Sequence, residues 1–217
     1  MERPDATAPP GAGGSPTAAV AEPDRRLAAR RRAFDRLSAE IRRCTRCSLS
    51  LGRTRAVVYR GSIAPRVVFV GEAPGAEEDR LGVPFVGRSG QLLDGAIERL
   101  GPPLGEFGVL NLLKCRPPEN RFDPAAARTC RPYLDRQLSL LEPRALVSLG
   151  ARALVALDPA APPVLRSAGT PRPLEGRWLF PLVHPAAALR STALRRRWEQ
   201  DVDRLGAWLA SPAFETL

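Results

Sequence analysis

The chain contains four cysteines, and their spacing is typical of a metal centre. Cys44 and Cys47 form a C-x2-C pair, and Cys115 and Cys130 follow much later in the chain. Zinc and iron–sulfur centres both use four thiolates. A zinc ribbon usually has a second C-x2-C pair, whereas a Pro/Asn loop and part of a predicted helix separate the last two cysteines here. This spacing favours a 4Fe–4S cluster, with zinc as the alternative and a nucleophilic cysteine as the least favoured interpretation.

Residue types that are rare in this chain are concentrated in one segment. The chain has one histidine, His184, one lysine, Lys114, and two asparagines, Asn111 and Asn120. Three of these four residues lie in NLLKCRPPEN at 111–120, beside a cysteine. Such a cluster directly after an apolar run indicates a functional site.

Short apolar runs alternate with amphipathic segments along the chain. The runs predict strands at 66–70, 107–113, 144–150 and 177–183, and the other segments predict helices at 89–100, 124–141, 151–157 and 192–210. Ser89 and Asp123 are suitable N-caps for the first two helices, and Pro132 is expected to kink or shorten the second. This alternation predicts a parallel sheet covered by helices on both faces.

Polar residues lie near the carboxyl ends of the predicted strands. Parallel sheets bind their ligands at this edge. Glu72, Asn111 and His184 each lie at a strand end in the sequence. A lone histidine is most often structural, but this position favours a function for His184. Phe85 lies in a Gly/Pro-rich loop, where it is either a core residue or a platform on which a ring can stack.

The ends and the composition of the chain indicate its class. Residues 1–24 are rich in Pro, Ala and Gly, which predicts a disordered tail before a single domain at 25–217, expected to be monomeric. A basic amphipathic helix is predicted to lead from Asp24 to Cys44. Because the sequence has neither a long apolar run nor a secretory signal, we expect a cytoplasmic protein without a membrane span.

The net charge of +10 and the sequence pI of about 10.9 admit two explanations. A strongly basic protein favours a polyanionic partner such as nucleic acid. However, arginine supplies all but one of the 33 basic residues, which a GC-rich coding sequence produces regardless of function. The charge alone therefore does not decide the partner.

Four segments together resemble the family 4 uracil-DNA glycosylases, the iron–sulfur type of bacteria and archaea. They are GEAPGAEED at 71–79, PFVGRSGQLLD at 84–94, NLLKCRPPENR at 111–121 and HPAAALR at 184–190, with cysteines at matching spacing. The resemblance covers residues 40 to 210. It implies a three-layer α/β/α sandwich with a central four-stranded parallel sheet and a structural 4Fe–4S cluster. It also implies a monofunctional enzyme of base excision repair that hydrolyses the N-glycosidic bond of deoxyuridine in single- or double-stranded DNA.

The resemblance further implies roles for individual residues. Phe85 would stack on the flipped base, Asn111 would pair with its edge, and His184 would donate to the charge that develops on it. Asn120 would help to position water. The first motif would contact the uracil and the attacking water through Gly71, Glu72 and Ala73, and the cluster ligands would be Cys44, Cys47, Cys115 and Cys130. Ala186 departs from the family, where many members have a serine that could bind phosphate.

Other functions on the same fold make different demands on the sequence. A catalytically inactive Fe–S DNA-binding module should have lost some of Glu72, Phe85, Asn111 and His184, and all four are present. A relative that traps its abasic product covalently needs a histidine between residues 115 and 130, where this chain has none. A redox carrier would have an exposed, reversibly titrating cluster. We therefore expect the glycosylase, with the inactive module as the alternative.

Overall fold

The computed structural model describes residues 22–216, which fold around one six-stranded sheet. The strands are β1 (Arg60–Gly61), β2 (Val67–Gly71), β3 (Phe107–Asn111), β4 (Ala145–Leu149), β5 (Arg172–Leu174) and β6 (Arg177–Leu182). The helices are α1 (Glu22–Arg43), α2 (Leu49–Gly52), α3 (Ala76–Leu81), α4 (Arg88–Leu104), α5 (Pro124–Leu141), α6 (Ala151–Leu157), α7 (Val164–Ser167), α8 (Pro185–Arg190) and α9 (Thr192–Leu209).

The sheet has the strand order β1-β3-β2-β4-β6-β5. Its four central strands, β3, β2, β4 and β6, are parallel, which confirms the predicted parallel sheet. The prediction missed β1 and β5, which pair antiparallel at the two edges. These strands have two and three residues and no buried apolar run, so their sequences carry no strand pattern.

Alternate side chains of the central strands enter two separate hydrophobic cores. Val67 and Phe69 of β2 pack with α4 and α9, whereas Val68 and Val70 pack on the other face with α1, α5 and α6. All five residues of β2 are buried. A parallel strand that is covered on both faces is apolar throughout, which is why it appears as a continuous apolar run. The three-layer α/β/α arrangement is therefore as expected.

The N-termini of α4 and α5 show which of the two predicted N-caps form. Asp123 caps α5, accepting hydrogen bonds from the backbone N–H groups of Ala125 and Ala126 at 2.8 and 3.0 Å. The prediction that Ser89 caps α4 is wrong, because α4 begins at Arg88 after the cap residue Gly87. Helix α5 continues through Pro132 to Leu141, so this proline does not end it.

The predicted tail at 1–24 lies mostly outside the described residues, which exclude residues 1–21 and 217. Helix α1 covers Glu22–Arg43, so the last three residues of the predicted tail, 22–24, are helical, and the rest of that prediction is not tested. Proline at the second helical position and acidic residues in the first turn both favour a helix start. Among the described residues, none of the helices is both long enough and apolar enough to span a membrane.

Candidate active site

The carboxyl ends of three parallel strands, β3, β2 and β6, open into a cleft of about 550 Å³. This volume lies within the range of small-molecule sites. The loop after β2, the end of β3 and the residue after β6 all reach it. Of the residues predicted for the site, the cleft wall contains Glu72, Ala73, Phe85, Asn111, Asn120 and His184.

Asn111 presents a complete amide to the cleft. The residue is 1% exposed, and neither its Oδ1 nor its Nδ2 atom has a hydrogen-bond partner. Buried amides without partners are rare in folded proteins, because each unsatisfied group costs about 1–3 kcal/mol. One side chain therefore offers both a donor and an acceptor to a ligand in the cleft.

Gly71 lies behind the cleft and makes room for two of its walls. It pairs in register with Asn111 across β2 and β3. A Cβ atom at Gly71 would collide with Asn111 Oδ1 and with the Phe85 ring. Gly71 thus permits the close packing of these two side chains, whereas the next two residues, Glu72 and Ala73, line the cleft.

Phe85 is held in the cleft wall by a strained loop. Its φ of 55° lies in the left-handed region, which is unusual for an aromatic residue and points to a functional constraint. The ring is 5% exposed, and its centroid lies 6.1 Å from that of His184. An aromatic face beside a polar cleft is suited to stacking on a planar ligand.

Glu78 holds this loop in place. Its carboxylate accepts hydrogen bonds from the backbone N–H groups of Gly75, Val86 and Gly87 at 3.0, 2.9 and 2.8 Å. The start of α3 and the segment next to Phe85 are therefore joined through one buried side chain. Sequence analysis missed this role, although a Glu at the third helical position after Gly75 is the spacing of a capping box.

His184 caps helix α8 with one ring nitrogen and faces the cleft with the other. Nδ1 accepts a hydrogen bond from the Ala186 backbone N–H at 3.1 Å, so a neutral ring carries its proton on Nε2. Burial, with a smaller contribution from the Arg190 charge, lowers the pKa of His184 to about 4. Near neutral pH the site therefore holds an uncharged N–H donor.

Gly150 allows the histidine to reach this position. Its φ is 90°, and a Cβ atom there would lie 2.9 Å from His184 Cβ. The residue follows β4, the strand next to β6, at the same edge of the sheet. The backbone turn after β4 thus leaves space for the side chain that follows β6.

Glu72 provides the carboxylate in the cleft. Partial burial raises the pKa of this group, and the nearby Arg152 guanidinium opposes the rise. A carboxylate with a raised pKa is a stronger base than an exposed one. The loop after β2 therefore places a base in the same cleft as the neutral histidine donor.

Asn120 reaches the cleft from a second strained loop. Glu119 and Asn120 have φ values of 53° and 57°, and Arg116 Nε donates a hydrogen bond to Asn120 Oδ1 at 3.0 Å. This hydrogen bond occupies the oxygen and leaves the amide N–H₂ as the free end. Asn120 thus lines the cleft, and its role in positioning water stays a prediction.

Two exposed arginines, Arg88 and Arg190, line the rim of the cleft. Arg121, in the loop after β3, is paired with Glu119 at 3.1 Å. Leu189 is 36% exposed and lies beside Arg190 on α8. The rim thus combines positive charge with one exposed apolar side chain.

The four cysteines line one small pocket. Cys44 and Cys47 lie between α1 and α2, Cys115 follows β3, and Cys130 belongs to α5. Arg53 donates from its guanidinium to Cys115 Sγ at 3.0 Å. The predicted ligand set is therefore gathered at one place next to a cation.

These sulfurs do not form a ready site for one metal ion. Within residues 22–216, no three His, Cys, Asp or Glu side chains are close enough together to hold a single ion. Ligands of a polynuclear cluster lie farther apart, because each thiolate binds a different metal atom.

Comparison with known proteins decides the family. The model of the uracil DNA glycosylase superfamily matches residues 58–203. The type-4 uracil-DNA glycosylase of Thermotoga maritima is 37% identical over 178 residues, which cover 80% of this chain and 93% of that protein. The chain belongs to the type-4 uracil-DNA glycosylase family.

Two further uracil-DNA glycosylases, one of type 4 and one of type 5, are similar to this chain. The type-4 uracil-DNA glycosylase of Pyrobaculum aerophilum is 40% identical over 172 residues, covering 75% of this chain and 87% of that protein. A type-5 uracil-DNA glycosylase of Mycobacterium tuberculosis is 35% identical over 140 residues, covering 56% of this chain and 50% of that protein. The family that the four sequence motifs indicated is therefore confirmed.

Proposed function

We propose that this type-4 family member removes uracil from DNA by hydrolysing the N-glycosidic bond of deoxyuridine. The observation that carries this proposal is the buried, unpartnered amide of Asn111 in a cleft shared with Phe85, His184 and Glu72. The names of the relatives supply the substrate, and this arrangement supplies the chemistry. The protein acts as a monomeric, cytoplasmic enzyme of base excision repair, with residues 25–217 as its single domain.

Recognition begins with a nucleotide that leaves the duplex. A base inside the stack cannot reach the cleft, so uracil is flipped out at a cost of a few kcal/mol. Phe85 stacks on the face of the base, and the backbone around Ala73 closes the other side. Asn111 pairs with the uracil edge through its donor and its acceptor. The same geometry rejects cytosine, whose exocyclic amine would face the amide N–H₂.

Cleavage breaks the bond between N1 of uracil and C1′ of the sugar. The electron pair leaves with the base, which becomes a uracil anion, and the sugar acquires oxocarbenium character. His184 donates a hydrogen bond from its Nε2–H to the developing charge on the base. The ring does so in its neutral form, so the histidine need not be protonated first. Removing one such donor typically costs about 2.7–4 kcal/mol of barrier.

Glu72 acts on the other side of the broken bond. Its carboxylate orients the attacking water, accepts the water proton as oxygen bonds to C1′, and stabilises the cationic sugar electrostatically. Asn120, whose N–H₂ end is free, holds that water in place. The uracil anion then takes up a proton from solvent and Glu72 releases the proton that it accepted, so the products are free uracil and an abasic site in an intact strand.

Hydrolysis without strand cleavage follows from the position of the lysine. Lys114, the only lysine, is 2% exposed, and its ammonium donates to the Asn111 carbonyl oxygen. An amine in this position cannot reach the sugar to form a Schiff base. We therefore propose a monofunctional enzyme.

The rim of the cleft contacts the DNA backbone. Arg88 and Arg190 bind phosphates on either side of the flipped nucleotide, and Leu189 fills the space that the base leaves in the stack. Ala186 cannot add the hydroxyl contact that serine provides. Because most of the affinity is ionic, binding should weaken steeply as salt concentration rises.

The cysteine pocket fits a 4Fe–4S cluster. A cluster with four thiolate ligands is anionic, and Arg53 and Lys114 provide positive charge at the pocket wall. Burial raises the pKa of Cys130, and the nearby Lys114 charge opposes this rise. We propose that Cys44, Cys47, Cys115 and Cys130 hold the cluster and that, when bound, it supplies structural support to the loops that carry Asn111 and Asn120. The reaction itself uses only protein side chains and water.

Strand breakage tests the proposal. Purified protein with its visible iron–sulfur absorbance is incubated with an end-labelled oligonucleotide that contains one uracil, and alkali then converts abasic sites into breaks. We expect alkali-dependent cleavage at uracil and none at cytosine or thymine in matched oligonucleotides. Binding without cleavage by cluster-loaded protein would overturn the proposal in favour of an inactive DNA-binding module.

A further inference from the structure

The proposed mechanism leaves one buried ionic group without a catalytic role. Lys114 lies between the base-facing Asn111 and the cysteine pocket, and it contacts both. Its Nζ atom donates a hydrogen bond to the Asn111 backbone oxygen at 2.5 Å. Its side chain also forms part of the wall around the four cysteines.

Lys114 holds the backbone of Asn111 at the point where the strand ends. Asn111 is the last residue of β3, and its backbone remains in register with Gly71. The unpartnered side-chain amide is fixed only by packing and by the position of its own backbone. A hydrogen bond from a buried cation to that backbone therefore has a direct effect on where the amide points.

The buried side chain of Lys114 carries an ammonium group beside the cysteine pocket. Burying an ammonium group is costly unless an anion or strong acceptors compensate for it. Burial lowers the pKa of Lys114 to about 8, and the nearby Cys130 and Asp135 oppose this shift. The Asn111 carbonyl and the cysteine pocket are therefore joined through one side chain.

We propose that Lys114 is a positioning residue for base recognition, which anchors Asn111 to the cysteine pocket and thereby fixes the amide that pairs with uracil. This inference rests on the proposed function, because it assumes that Asn111 contacts the base. Lys114 does not touch the substrate. Its removal should weaken recognition of the base and leave contacts with the DNA backbone intact.

Binding of two oligonucleotides separates these effects. One contains 2′-fluorodeoxyuridine, whose fluorine disfavours the cationic sugar and prevents excision, and the other contains an abasic site in the same sequence. Lys114→Met removes the ammonium and keeps an unbranched side chain of similar length. Arg53→Met is the matched control, since it removes another cation that lines the cysteine pocket and whose hydrogen bonds go to Cys115 Sγ and the Arg42 carbonyl. All proteins are compared at equal iron content and visible absorbance.

We expect Lys114→Met to weaken binding of the fluorinated oligonucleotide by about 10- to 100-fold, the usual effect of losing a hydrogen bond from a charged group. Binding of the abasic oligonucleotide should change by less than about twofold, within the variation expected for surface changes. Arg53→Met should leave the ratio of the two affinities as in the wild type. The double variant Asn111→Ala with Lys114→Met should bind no more weakly than Asn111→Ala alone, because both changes remove the same contact.

Other results would overturn the inference. Equal losses on both oligonucleotides, or losses that add to those of Asn111→Ala, would make Lys114 a general structural residue. If Lys114→Met does not accumulate with a full cluster, Lys114→Gln is measured in the same way, because its shorter side chain cannot reach the Asn111 carbonyl. Wild-type protein that binds the fluorinated oligonucleotide no better than a thymidine oligonucleotide would contradict the proposed function itself, whatever the variants do.

Discussion

Replacing His184 separates its two roles, as the cap of α8 and as the donor to the leaving base. In the wild type, Nδ1 accepts from the Ala186 N–H, and Nε2–H faces the cleft. His184→Ala removes both groups. His184→Asn keeps a strong N-cap but is too short to reach the position of Nε2.

The two variants should differ in stability but not in activity. Loss of an N-cap costs about 1 kcal/mol, so His184→Ala should be destabilised by roughly that amount and His184→Asn by less. Loss of the donor should reduce the excision rate of both variants by about 100- to 1,000-fold. Burial holds the pKa of His184 at about 4, so the donor is present throughout the neutral range. The rate ratio to the wild type should therefore be constant between about pH 6 and 8, across the pKa of an ordinary histidine.

Single-turnover kinetics with excess protein measure this step without interference from product release. Urea unfolding of the same preparations measures the capping effect. If His184→Asn kept more than about a tenth of the wild-type rate, its loss of barrier stabilisation would be below the range for a donor, and the role of His184 would be capping alone.

Three further changes test the rest of the site. The excision rate should rise with pH through an acid limb whose midpoint lies above the usual pKa of a glutamate, because burial raises the pKa of Glu72. Glu72→Gln should be slow and lack this limb. A limb that persists in the variant would exclude Glu72 as the base. Gly71→Ala should reduce the excision rate at least about tenfold, because overpacking by about 1–3 kcal/mol displaces the Asn111 amide and the Phe85 ring beside it. The control Gly95→Ala should retain activity, because the space around Gly95 is open. Equal rates of the two variants in a uracil excision assay would refute this packing. Glu78→Gln should lower the free energy of unfolding by roughly 1.5–3 kcal/mol and make the loop before α4 more sensitive to proteolysis, because the buried carboxylate accepts three backbone hydrogen bonds. The control Glu77→Gln, at an exposed position, should lower it by less than about 1 kcal/mol. Similar losses of the two variants in urea unfolding would contradict the role of the buried carboxylate.

The residues that the sequence predicted best lie at the ends of apolar strands. Glu72, Asn111 and His184 follow this rule, because carboxyl ends of parallel strands lie at one edge of the sheet regardless of the loops. The same reasoning could not place the two edge strands, which are too short to show a pattern. It also assigned the α4 cap to Ser89, since residue preference alone does not distinguish a cap from the second residue of a helix.

Roles that depend on contacts between distant segments were not readable from sequence. Glu78 binds N–H groups from two loops, and Asp79 accepts from the Thr54 N–H at 3.0 Å and so connects α3 to the segment after the first cysteine pair. Lys114 was conspicuous as the only lysine, but the direction of its side chain decides what it contacts. Such roles follow from tertiary packing rather than from local spacing.

Release of uracil from DNA tests the central claim most directly. Wild-type protein and His184→Asn, both with full iron content, are mixed with an oligonucleotide containing one deoxyuridine, and mass spectrometry quantifies the free base and the strand before alkali treatment. The account predicts that the wild type releases one free uracil per strand, leaves an intact strand with one abasic site, and is at least about 100-fold faster than the variant. Cluster-loaded wild-type protein that releases no uracil, or a strand already broken before alkali treatment, would contradict it.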